Sequence, residues 1–176
     1  MAVKTNDPKF TNMKKITFIL FALLAGTTFT QAQSDSGTAD VNAVIVSPIQ
    51  IEDGTALNFG TINGSATGGD VTVTNGGNRS FTNTDMDITS ATTITAASFD
   101  ITASDTYSYS INIPATTLTG AGDAMNVTFT HSRVGAAKRI GDGAAQELLV
   151  GGTLTVNDAQ AAGVYQGEVE VTVAYE

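Results

Sequence analysis

Cysteine is absent from the chain, and with it disulfides, thiol nucleophiles, zinc–thiolate sites and iron–sulfur clusters. Stability must come from packing and hydrogen bonds alone. Tryptophan is also missing, histidine occurs once, and proline three times in 176 residues. Positive charge is scarce: eight Lys and Arg face 17 Asp and Glu, a net charge of −9. Such a surface repels a phosphate backbone, whose binding needs cations to displace counterions, so nucleic acid is excluded as a partner. What the chain has in quantity is threonine (28 residues) and glycine (18), at 41% hydrophobic and only 14% charged residues. Threonine, valine and isoleucine suit pleated strands, and glycine suits the turns between them. This composition and length fit one packed domain.

Residues 13–33 begin with Lys14 and Lys15, continue as an apolar run over 16–25, and end with small residues at Thr30 and Ala32. The order of basic, apolar and small residues reads as a secretory signal cleaved after Ala32. Its apolar run is about half the length a bilayer-spanning helix needs, so the mature form is expected to have no integral membrane segment. Residues 1–12 read as an over-extended start, with Met13 the better initiator. No cysteine follows the apolar run, which excludes a lipid anchor there. The expected destination is the periplasm, the cell surface or the extracellular space. Residues 33–176 keep four basic and 16 acidic residues, a net charge of −12.

From Val41 onward the dominant period is two. Candidate strands are 40–51, 56–59, 70–74, 92–102, 106–113, 124–131, 148–156 and 164–175, separated by turn-rich stretches at 52–54, 60–69, 75–78, 114–123, 135–143 and 157–162. Eight short strands at this spacing predict an all-β protein, a single immunoglobulin-like β-sandwich over 33–176. A domain of this size buries roughly two thirds of its unfolded surface and needs no disulfide. Faces follow from the alternation: Tyr107, Tyr109, Ile111 and Ile113 point to the core, as do Met125, Val127 and Phe129, and Leu57 with Phe59.

The last strand carries the most information. Tyr165, Gly167, Val169, Val171, Val173 and Tyr175 share one face, and Gln166, Glu168, Glu170 and Thr172 the other. A long amphipathic strand must find neighbours on both edges, either earlier in its own chain or in another molecule. Both readings stay open on the sequence. With Gly163, the residues of the first face are the candidate strand-edge and assembly residues.

Other constellations point to little chemistry. His131, the single histidine, lies at a strand end and reads as a solvated polar residue; no Gly-x-Ser-x-Gly elbow accompanies it, so no catalytic residue is assigned. Asp85 with Asp87, and Asp142 with Glu147, offer oxygen ligands suited to calcium but match no calcium loop, and no metal or cofactor is assigned. Arg133, Lys138 and Arg139 form the one basic cluster of the mature chain, read as a solvated hairpin tip or a match for a neighbour's acidic face. The glycine-rich loop 60–69 lacks a following helix and Lys-Ser/Thr, which excludes a phosphate loop. Tyr107, Tyr109 and Tyr165 lie on apolar faces and read as core.

The C-terminal run resembles the ending of chaperone–usher pilus subunits, with its alternating apolar residues, penultimate Tyr175 and Gly163 fourteen places from the end. The resemblance implies an immunoglobulin-like fold completed by a strand from a periplasmic chaperone or from a like subunit. The chain lacks the cysteine pair common in those subunits, and its mature start, 33–40, is polar; alternation begins at Val41, Ala43 and Ile45. A second resemblance covers nearly the whole mature chain. Six blocks, 42–49, 57–60, 97–102, 109–114, 150–156 and 163–175, look like the bacterial secreted family of domains of unknown function numbered 4402, similar in style to spore-coat U and fimbrial domains. The resemblances imply a secreted or surface-exposed structural or adhesion subunit without catalytic activity; the alternative is an extracellular carbohydrate-binding module.

Overall fold

The computed structural model describes residues 34–64, 67–88 and 93–176. The signal segment and the start of the expected strand at 92 lie outside the described residues. The chain divides into two units between Ala43 and Val44. The first is described only over 34–43, which has no regular secondary structure; the second carries every strand described.

The fold is all-β, as the alternation predicts. Ten strands are described: β1 (Gln50–Asp53), β2 (Gly69–Val73), β3 (Arg79–Phe81), β4 (Ala97–Thr102), β5 (Tyr109–Asn112), β6 (Thr116–Gly120), β7 (Met125–His131), β8 (Ala145–Val156), β9 (Tyr165–Gln166) and β10 (Thr172–Tyr175). Every pairing is antiparallel. The twelve-residue β8 is the spine. Along one edge its residues 145–150 pair with β4 and 152–156 with β2; along the other, 150–154 pair with β7. Addition of β1 to β4, β3 to β2, β6 to β7 and β9 to β6 gives an eight-stranded sheet, and β5 pairs with β10 in a second.

Gly151 marks the point where β8 changes partner. Its N–H donates to the Asn75 side chain at 2.9 Å, and a Cβ there would strike the carbonyl oxygen of Val73. The chain leaving β2 therefore crosses β8 at a distance only glycine permits.

Pro114, with no N–H to give a ladder, separates β5 from β6. The C-terminal run lies beside both. Tyr165 and Gln166 pair with Gly120 and Thr119, then Thr172 to Tyr175 pair with Asn112 to Tyr109, in registers that differ by one residue. That offset is the mark of a bulge, and through it the same two stretches of chain pass from the large sheet to the small one. Two buried clusters result. One gathers Val71, Val73, Met86, Val127 and Leu154; the other gathers Ile101, Tyr109, Leu148 and Val150.

Several expectations change. The strand expected over 40–51 forms only at β1, after Pro48, which cannot donate to a ladder; Val44 and Ile45 are left 82% and 95% exposed. The stretch 56–59 makes a single bridge, Asn58 to Thr95. β6 lies in a stretch read as a turn, since three threonines and a leucine between Pro114 and Gly120 give little alternation, and the three-residue β3 is too short to show a period. Tyr107 is not core. It is 40% exposed and meets the Tyr175 ring edge-on at 6.0 Å, because the left-handed turn at Thr106 (φ 68°) takes it off the pleat before β5 begins.

Candidate functional site

Along the C-terminal run the alternation expected from sequence holds except at Gly167, which is exposed. Tyr165, Val169, Val171, Val173 and Tyr175 are half-buried, and Gln166, Glu168, Glu170 and Thr172 are exposed. Tyr165 packs against the first buried cluster, and Val169, Val171, Val173 and Tyr175 against the second. Equivalent inward residues elsewhere are sealed: Val71, Val73 and Val150 are all 0% exposed. The difference has a topological cause. β9 pairs only with β6 and β10 only with β5, so among the described residues the outer edge of this run has no partner strand.

Beside the N-terminal half of that run opens a groove of about 770 Å³. One wall is the segment 57–64, the other is 160–169, and Leu118, Val127 and Leu154 of the sheet lie between. Both walls are tied down. The Arg79 guanidinium, whose side chain is only 8% exposed, donates to the carbonyl oxygens of Phe59 and Thr61 at 2.9 Å each, pairs with Asp87 at 3.2 Å and stacks over Phe81. On the opposite wall the Tyr165 hydroxyl donates to the Ala161 carbonyl and accepts from the Gln160 amide, both at 2.8 Å.

The remaining candidate residues fix the run in place. Gly167 lies close against β6, where a Cβ would come 2.8 Å from both Leu118 Cδ2 and the Thr117 carbonyl oxygen. Gly163 sits as tightly against Ala121. At the far end the Tyr175 hydroxyl accepts from the Ser104 N–H (2.8 Å) and donates to the Ser47 carbonyl (3.0 Å). Gly163, Tyr165, Gly167, Val169, Val171, Val173 and Tyr175 thus lie along one run, but the strand expected over 164–175 forms only at β9 and β10, and 167–171 between them take no partner strand. Arg79 and the wall 57–64 were not singled out from sequence; the available signal was an arginine beside Phe81 in a chain with few cations.

The other constellations do not converge. Asp87 is engaged by Arg79, Met86 between the two aspartates is buried, and among the described residues no three His, Asp or Glu side chains gather as a metal site. Asp142 accepts the Ala144 N–H at 3.0 Å, which holds its carboxyl below the usual range. The basic cluster folds inward on its own loop: Arg133 donates to the carbonyls of Glu147 and Lys138, and Arg139 lies 3.7 Å from Glu176. His131 is half-buried rather than solvated. Burial, and then the charge of Arg139, push its pKa down, and its Nδ1 has no hydrogen-bond partner. Burial raises the Tyr109 phenol against the opposing influence of Arg133.

Residues 49–175 match the family model described as Domain of unknown function (DUF4402). The chain belongs to this family. The DUF4402 span opens one residue before β1 and takes in all ten strands, the groove and the unpaired edge; residues 41–48 precede it. No curated protein matches the chain, and no solved structure does.

Proposed function

We propose that this DUF4402 protein is an exported structural or adhesion subunit of the cell envelope or extracellular surface, without catalytic activity, that joins other molecules by strand pairing along its C-terminal edge. The observation that carries this reading is the pairing of β9 and β10 on one side only, which leaves the inward residues of 165–175 half-buried. Backbone N–H and C=O groups along an unpaired edge accept a further strand, and the alternate side chains of that strand find the apolar surface left uncovered. The signal-like segment at 13–32 supports the location.

Sizing of the exported protein over a range of concentrations tests it. Association that grows with concentration is expected, and Val171→Asp, which places a charge at the half-buried edge, should weaken it at least tenfold while the strand signal in circular dichroism persists. A wild-type protein that stays monomeric at every concentration and salt overturns the reading.

A further inference from the structure

Residues 33–176 hold four cations, and three of them, Arg133, Lys138 and Arg139, lie within seven positions. Arg79 and Arg133 spend their donors inside the fold. Arg139 does not. Its side chain is 29% exposed, the Glu176 carboxylate stands off at 3.7 Å, beyond hydrogen-bond distance, and its Nε is buried without a partner. Lys138, exposed on the same loop, has only a long 3.4 Å approach to the Ser132 carbonyl. Among the described residues two buried side-chain polar atoms lack a partner, and both are here: Arg139 Nε and His131 Nδ1, on side chains near enough for the Arg139 charge to act on the imidazole. A guanidinium carries five N–H donors and no acceptor. One that satisfies none of them from its own chain, in a domain with 16 acidic residues, is suited to an anionic ligand.

An apolar surface stands next to that cation. Around the bridge of Ser108 with Ile140, the Tyr109 N–H donates to the Arg139 carbonyl and the Gly141 N–H to the Tyr107 carbonyl, both at 2.9 Å. Tyr107 and Arg139 are therefore diagonal neighbours, about 7–8 Å apart, a separation that aromatic and long side chains span. Both side chains also reach the same stretch of chain, since Tyr107 meets the Tyr175 ring and Arg139 approaches Glu176. Tyr107 and Ile140 are 40% and 43% exposed. An exposed ring presents an electron-rich face to the C–H groups of a sugar. We infer that Tyr107, Lys138, Arg139 and Ile140 form a binding site for an acidic sugar, with the pyranose on Tyr107 and Ile140 and its carboxylate on the Arg139 guanidinium beside Lys138. The planar fork of a guanidinium matches a carboxylate with two parallel hydrogen bonds. A bare anion would use only the cations and an uncharged sugar only the ring, whereas the arrangement offers both. The site goes beyond the strand-pairing reading and needs no second copy.

Titration of the exported protein, followed by amide NMR, tests the site with four probes. Methyl glucuronide and the methyl glycoside of N-acetylneuraminic acid are the acidic sugars; methyl glucoside supplies the ring without the charge, and acetate the charge without the ring. Saturable binding of at least one acidic glycoside is expected, at least tenfold tighter than of glucoside or acetate, and the tighter of the two tells a uronate site from a sialate site. Shifts should centre on residues 107 and 138–140. Arg139→Gln and Tyr107→Ala should each weaken binding at least tenfold. Lys138→Gln changes only an exposed side chain, so the fold is retained, and it should weaken binding at least threefold. Failure of both acidic glycosides to saturate overturns the assignment, and so does acetate binding as tightly as they do, which would leave a carboxylate site with no sugar selectivity. Binding that is unchanged in both Arg139→Gln and Lys138→Gln overturns it as well. Each of these failures leaves the strand-pairing reading standing, because that reading is measured by association.

Discussion

Arg79 holds one wall of the groove with a charge that scarcely touches water. Its guanidinium supplies hydrogen bonds to two backbone carbonyls and a carboxylate, and its stem covers Phe81, so the side chain acts by geometry as well as by charge. Bonds to a charged donor are worth about 1.5–3 kcal/mol each, and the carbonyls left without a donor add to the cost of removing it. Arg79→Met, which keeps the stem and removes the fork, should therefore destabilise the protein by about 2–4 kcal/mol, read as a lower denaturation midpoint in urea. A change under about 1 kcal/mol would mean that water replaces the guanidinium without loss. Tyr175 plays a comparable part at the other end of the edge, where its one hydroxyl joins Ser104 to Ser47.

At the scale of the element, β8 and the C-terminal run are opposites. β8 has neighbours along both edges, and where it changes from β4 to β2 the crossing chain presses on Gly151. Gly151→Ala should cost about 1–3 kcal/mol, as overpacking does, because the new methyl meets backbone that cannot swing away; thermal melts of the variant and wild type measure it. Much of this was legible in advance. Period-two alternation located β2, β7, the body of β8 and the faces of the C-terminal run, since a strand's side chains must divide between core and solvent whichever neighbours it takes. The break at Pro114 was legible, but the strand β6 that follows it, and the run 41–49 left unpaired, were not. Both depend on which edge finds a partner, and alternation does not encode that. The groove was hidden for the same reason: Leu57 and Phe59 were read correctly as inward-facing, but nothing local says that the wall they belong to stands apart from residues 160–169.

At the scale of the whole molecule, charge opposes association. Residues 33–176 carry a net charge of −12, so copies repel until salt screens them. Raising ionic strength from about 0.01 M to about 0.15 M shortens the screening length from roughly 30 Å to roughly 8 Å. Self-association should strengthen severalfold over that range, which sedimentation at fixed protein concentration would show; a fall with salt would mean that attraction between opposite charges drives it instead. The placement of β8 has a consequence of another kind. Gly69 at the start of β2 pairs with Val156, 87 positions further on, and β4 and β7 likewise wait for the same spine. During synthesis β2, β4 and β7 each emerge with one edge left open, and the large sheet cannot assemble until that late segment has been made. Pairing over such separations is slow, so the newborn chain spends its first moments loose, threadable and open to capture by whatever binds bare strands.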